Sequence, residues 1–198
     1  MLCREIMKTD DLRFLRRAAR ITGVLILAAV ALGGRTLAVR PAADGPLPES
    51  VAPSVIPNYS LLRPDLAAAG RPTEEGLRRL RDLGFRVVID LRAPSEGTAA
   101  EEAAVKEACL RYVSVPITPE TFRREDVDAV ARILDERGRG PVLLHCATAN
   151  RVGGVWTVLQ VTKGVPYEDA EAEGRRIGLR SAAMVAAVRR VVGSLERR

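Results

Sequence analysis

Histidine is almost absent from this 198-residue chain: the one present, His145, directly precedes a cysteine. That excludes a multi-histidine metal centre, and any Ser-His or Cys-His pair elsewhere in the chain. Cysteine is nearly as scarce. Cys3, Cys109 and Cys146 show neither a CxxC pair nor zinc-ligand spacing, and if residues 1–38 are removed only two remain, too few for a disulfide framework. Aromatic residues make up 4% of a chain that is 47% hydrophobic, so the core is one of Ala, Val, Leu and Ile. Such a chain offers little stacking surface to single-stranded nucleic acid.

The formal net charge of +6 invites the same question about nucleic acid, and its location answers it. Residues 1–38 hold seven Lys/Arg against three Asp/Glu, which leaves 24 against 22 for the remaining 160 residues. The basic excess belongs to the leader, and no nucleic-acid partner is expected. Within that leader an uncharged run of 14 residues, 21–34, follows a basic segment. A membrane span needs about 20 apolar residues, so the run fits the apolar core of a signal peptide, with Thr36-Leu-Ala38 as a small-residue cleavage site. The long basic region leaves an uncleaved membrane anchor open. A cytosolic helix is disfavoured because the run has no polar face. The protein is therefore expected to be exported, periplasmic or secreted, or tethered to the membrane through its N-terminus alone. Residues 39–57 carry five prolines and read as an extended spacer, which puts the folded domain at 58–198.

Inside that domain, short apolar runs alternate with helical periodicity. Ser60-Leu-Leu-Arg63 reads as an edge strand, and 66–73 as a turn of the chain. Thr73 caps a helix with Leu77, Leu80 and Leu83 at helical spacing, ended by Gly84. Strands are expected over 85–92, 110–116 and 142–145. Helices are expected over 99–109, with Glu101, Glu102 and Lys106 on a solvated face, and over 124–137, 152–163, 167–176 and 181–195. This order predicts an α/β fold, a central mostly parallel sheet of four to five strands flanked by helices on both faces. In such sheets ligands bind at the carboxyl ends of the strands, where Asp90, Arg92, Pro116 and Cys146 fall.

The stretch from Pro141 to Gly154 concentrates the chemistry. A buried strand stops at His145, the loop 146–151 follows, and a helix starts near Val152. Backbone N–H groups and a helix N-terminus then converge on one point, in the kind of field a nucleophilic thiolate requires. The N–H groups of Ala147, Thr148, Ala149, Asn150 and Arg151, with the Arg151 guanidinium, are suited to hold the three equatorial oxygens of a phosphate. Cys146 would attack in line to form a phosphocysteine. His145 is expected to turn away from substrate and support the thiolate. The plain alternative is a buried strand-end cysteine, disfavoured because the His-Cys pair, the arginine and Gly153-Gly154 coincide. No metal and no cofactor is called for.

His145-Cys146 followed by Arg151 after an apolar strand resembles the phosphate loop of cysteine-dependent protein tyrosine and dual-specificity phosphatases. More narrowly, the domain resembles the bacterial dual-specificity-phosphatase-like group related to the phosphatase domains of beta-lactamase-hydrolase-like proteins. The matching pieces are Ala69-Gly-Arg-Pro-Thr73, Leu83-Gly-Phe-Arg-Val-Val-Ile-Asp-Leu-Arg92 with Glu96, Tyr112-Val-Ser-Val-Pro116, and Val142-Leu-Leu-His-Cys-Ala-Thr-Ala-Asn-Arg-Val-Gly153 with Trp156. The resemblance implies a tyrosine-phosphatase-like fold and a phosphorylated substrate, protein or small molecule.

This chain departs from the family's pattern in four places. Four residues separate Cys146 from Arg151 where most tyrosine phosphatases have five. Ala149 replaces a mid-loop glycine whose backbone turn needs a positive φ, Val152 replaces a hydroxyl residue, and Thr118 stands where an acidic proton donor is usual. Glu120 is the nearest carboxylate and the candidate general acid, against a solvated surface role. Asp90 is the alternative, against a buried Asp90–Arg92 or Arg92–Glu96 ion pair that props up the loop. Two rival readings stay open: a rhodanese-like sulfurtransferase, which also uses a six-residue cysteine loop, and a non-catalytic phosphate-binding domain. Cys109 reads as a core cysteine, with a resolving partnership to Cys146 as its rival role. The substrate is not named by these residues.

Overall fold

A computed structural model of the chain describes residues 46–195; the leader at 1–38 and the first part of the spacer lie outside the described residues. Five strands form one sheet: β1 Ser60–Arg63, β2 Leu66–Ala69, β3 Val87–Asp90, β4 Arg111–Ser114 and β5 Val142–His145. Their spatial order is β1-β2-β5-β3-β4. Only β1 runs antiparallel, against β2, and every other pairing is parallel. Among the described residues six α-helices cover the sheet: α1 Glu74–Arg79, α2 Ala99–Glu107, α3 Arg124–Asp135, α4 Asn150–Thr162, α5 Tyr167–Ile177 and α6 Ala182–Leu195. This is the mostly parallel α/β architecture expected.

Alternation along the strands explains the two-sided cover. Leu66, Ala68, Val87, Ile89, Val142 and Leu144 point into a core shared with Val127 and Val130 of α3, Val155 and Val158 of α4, and Val188 of α6. Their neighbours Ala67, Ala69, Val88 and Leu143 point to the other face and meet Leu80, Phe85 and Val105. Period-2 side-chain direction in strands buried on both faces gives this division. At the start of α1, Thr73 accepts a hydrogen bond from the backbone N–H of Gly76, which is the expected cap. That helix ends at Arg79 rather than running on to Gly84.

Two expectations change. Residues 66–69 are not a turn but the strand β2, all four of them completely buried. Leu-Ala-Ala-Ala has weak intrinsic strand preference, and pairing on both sides, with β1 and β5, overrides it. The described part of the Pro-rich segment is not a solvated spacer either. Leu47, Val55 and Ile56 lie in the core beside Phe85 and Leu80, so the folded unit begins before Asn58.

Close approach of α4 to α5 requires glycine at one point. A Cβ on Gly153 would lie 2.4 Å from the Gly174 carbonyl oxygen, and one on Gly174 would lie 2.1 Å from Thr157 Oγ1. That hydroxyl donates to the Gly153 carbonyl at 2.8 Å, so it cannot simply rotate away. Gly174→Ala is expected to destabilise the fold by about 1–3 kcal/mol through overpacking. Urea unfolding checks this, and an unchanged midpoint would mean that the helices can part without loss.

Candidate active site

The carboxyl ends of the parallel strands meet at one edge of the sheet, where Ala69, His145 and Asp90 stand in register on β2, β5 and β3. The central strand β5 delivers Cys146, which is 1% exposed and a free thiol. Ala147 and Thr148 follow as exposed loop residues, Ala149 is buried, and α4 starts at Asn150. The carbonyl oxygens of the loop are held from outside. Ala147 accepts from the Arg71 backbone N–H at 3.2 Å, and Thr148 accepts from Arg180 Nη2 at 3.0 Å and Asn58 Nδ2 at 3.4 Å. The first N–H groups of α4 have no partner within their helix and aim back along its axis at the loop.

Ala149 sits at φ 66°, ψ 0°, the left-handed conformation for which glycine is usual. The restriction read from the sequence is therefore met by strain, on the order of 1–2 kcal/mol for an L residue. Gly178 makes room for it: a Cβ there would lie 3.0 Å from that of Ala149. Asn150 was expected to offer its backbone N–H to phosphate; its side chain is engaged elsewhere. Oδ1 accepts from the N–H groups of Arg180 and Ser181, and Nδ2 donates to Ser181 Oγ. It ties the loop to the start of α6.

Arg151 is clamped in place. Nη1 and Nη2 donate to the two Glu96 carboxylate oxygens at 2.6 and 2.7 Å, and Nη1 also reaches the carbonyls of Leu91 and Ile117. The fork with Glu96 and the neighbouring Cys146 raise the arginine's pKa, so it stays charged. The same fork holds the Glu96 carboxyl below the usual range. Glu96 therefore pairs with Arg151, and the expected Arg92–Glu96 pair does not form.

Beneath the loop lies a second, fully buried cluster. Arg92, the largest completely buried side chain, donates through Nε and Nη2 to Asp90 and at 2.5 Å through Nη2 to Glu101. Tyr112 adds its hydroxyl to Asp90 at 2.8 Å. His145 Nε2 stands 2.8 Å from Glu101 Oε1 and 3.9 Å from Asp90 Oδ1. The ring N–H is not aimed along the shorter of these contacts, which is a close polar contact rather than an aligned hydrogen bond. Asp90, Glu101 and His145 could geometrically hold a cation, but the Arg92 guanidinium already bonds both carboxylates. Burial pushes the Asp90 carboxyl up, yet the hydrogen bonds from Arg92 and Tyr112 and the nearby His145 outweigh it and hold it low.

Neither general-acid candidate is placed to give up a proton. Asp90 is locked as a carboxylate by Arg92. Glu120 is fully exposed, and hydrogen bonds from Thr118 and from its own backbone lower its pKa. Sequence reasoning also missed Glu101, read as a solvated residue and found 1% exposed. Its signal was the spacing to buried Val105, four residues on along the same helix face. Arg180 carried no signal at all. Cys109 is half-buried, and because Cys146 is free the two are not paired.

A parallel-sheet core with a cysteine–arginine loop between its central strand and the following helix defines a phosphatase fold of the tyrosine-phosphatase type. The family model described as "DSP-PTPase phosphatase fused to NAD+ Kinase" matches residues 63–177, more than half of the chain, and the chain belongs to that family. A beta-lactamase hydrolase-like protein of Xylella fastidiosa is 29% identical over 119 residues, 57% of this chain and 27% of that protein. This chain thus corresponds to about a quarter of the relative's length. Among solved structures, a DUF442 protein from Shewanella putrefaciens CN-32 is 26% identical with a TM-score of 0.58, covering 70% of this chain and 93% of that one. TpbA of P. aeruginosa shares the fold at 24% identity and a TM-score of 0.60, covering 80% and 96%.

The buried pair yields a stability prediction. The folded Asp90 carboxyl titrates below its unfolded counterpart, so its contribution is complete above roughly pH 4 and is lost as pH falls through the lower folded value. Asp90→Asn leaves Arg92 with one carboxylate and should cost roughly 3 kcal/mol at neutral pH. Denaturant unfolding at pH 7 and pH 3 tests this: the gap between wild type and variant should narrow in acid.

Proposed function

We propose that the chain is a cysteine-dependent phosphatase that hydrolyses phosphate monoesters through a phosphocysteine intermediate. The observation that carries this reading is Arg151, held by both Glu96 oxygens and two main-chain carbonyls at the start of the helix that follows Cys146. A guanidinium fixed in this way binds two phosphate oxygens without losing its own orientation, and the α4 N-terminus takes the third. The Cys146 sulfur then attacks phosphorus in line as the ester oxygen departs. Water attacks the phosphocysteine in a second step, which releases inorganic phosphate and regenerates the thiolate. The fold relationship to TpbA, a protein crystallised with phosphotyrosine, is in keeping with this reaction class.

The purified protein should hydrolyse p-nitrophenyl phosphate and be inhibited by vanadate. Cys146→Ser should abolish both turnover and the acid-trapped phosphoenzyme. Thiosulfate:cyanide sulfur transfer without phosphate release would sink the proposal in favour of a sulfurtransferase. Glu96→Ala frees the guanidinium while leaving the nucleophile in place. It should lower kcat/KM about 10–100-fold, as expected for a misplaced binding group. Retention of full activity would mean that Arg151 is positioned by the main-chain carbonyls alone.

A further inference from the structure

The buried cluster beneath the loop is one positive charge short. Asp90 and Glu101 are fully buried carboxylates, and a single buried guanidinium, that of Arg92, bonds both. Tyr112 gives Asp90 a hydrogen bond but no charge. Arg71 stands 3.7 Å from the Glu101 oxygen that Arg92 already holds, and its half-exposed side chain is screened by solvent. The remaining Glu101 oxygen, Oε1, has no aligned hydrogen-bond donor among the described residues. Its polar neighbour is His145 Nε2 at 2.8 Å, and Asp90 Oδ1 lies 3.9 Å from the same nitrogen.

Two carboxylates against one guanidinium, with no water to screen them, leave a net negative charge that is costly to bury. His145, likewise fully buried and facing both carboxylates, can cancel it by carrying a second ring proton. The same charge bears on the sulfur. Cys146 is the next residue, and Arg151, the cation beside it, is already committed to both Glu96 oxygens. With a neutral ring the cluster would place net negative charge beneath the thiol and oppose its ionisation. With an imidazolium the cluster is neutral, and its positive end adjoins residue 146.

We propose that Glu101 and His145 form a buried carboxylate–imidazolium pair, through which Glu101 acts as a positioning residue. It holds the proton on the ring, and the charged ring keeps Cys146 a thiolate at neutral pH. The inference rests on the phosphatase reading for the role of Cys146 as nucleophile and adds how that nucleophile is ionised. Registration of the fold needs these side chains in place; it does not need this distribution of protons.

His145 is the one histidine of the chain, so the ring nitrogens of the ¹⁵N-labelled full-length protein give signals that need no assignment. At about pH 7.5 both nitrogens should be protonated, where a histidine with its ordinary value of about 6.5 is neutral. Glu101→Gln should return the ring to the neutral form at that pH. Alkylation by iodoacetamide, followed on the Cys146 peptide by mass spectrometry, reads the sulfur. His145→Asn leaves the Glu101 charge unbalanced and should raise the pH midpoint of alkylation by about one unit. Adding Glu101→Gln to it should bring the midpoint most of the way back, whereas a purely structural cluster would lose more with each substitution. A neutral ring at that pH in the unaltered protein overturns the inference without any variant. So does a double variant whose midpoint is no lower than that of His145→Asn. Neither readout requires turnover, so a failure to hydrolyse p-nitrophenyl phosphate would sink the phosphatase reading separately.

Discussion

A guanidinium with no access to water lies under the candidate site, and the geometry above it depends on how that charge is satisfied. Arg92 is neutralised by Asp90 and Glu101, which come from different elements, the end of β3 and the first turn of α2. Those carboxylates in turn stand beside the His145 ring, on the residue that precedes Cys146. Buried ion pairs seldom add much net stability, but leaving one partner uncompensated is costly. The cluster therefore acts as a registration device: the strand ends and α2 must meet in one arrangement or strand a charge in the core. Cys146 inherits its position from that requirement.

The loop above shows how a shortened cysteine–arginine turn is accommodated. Its tightest point places an alanine in the left-handed region, and the neighbouring chain yields space through Gly178. Outward bonds from Arg71, Arg180 and Asn58 hold the loop carbonyls turned away from the cavity. Strain at a site persists where surrounding contacts over-determine the backbone, and here the contacts come from three separate segments.

Much of the site was legible because its signals are local. The apolar strand into His145-Cys146, the arginine five positions on, and the glycine pair behind it occupy one continuous stretch. The Asp90–Arg92 pairing was legible as well, since residues two apart on a strand end share a face. What misled were segments whose local character contradicts their position. Three alanines read as a turn form a strand inside the sheet, a proline-rich spacer fills the core with Leu47 and Ile56, and a glutamate in a charged helix is buried. In each case burial came from a neighbour distant in the chain.

Residue order alone thus determined the α/β alternation, the placing of Cys146 and Arg151 around one strand–helix junction and the likeness to cysteine-dependent phosphatases, because periodicity and short motifs are written in consecutive residues. Tertiary structure decided which carboxylate serves which arginine. Glu96 goes to Arg151, and Glu101 joins Asp90 on Arg92, so of the two pairings read for Arg92 the one with Asp90 forms and the one with Glu96 does not. It also brought Arg180 from a connection 29 residues beyond Arg151 to the rim of the loop. Charges select partners by distance in space and by desolvation, and neither quantity exists until the sheet has brought its strand ends together.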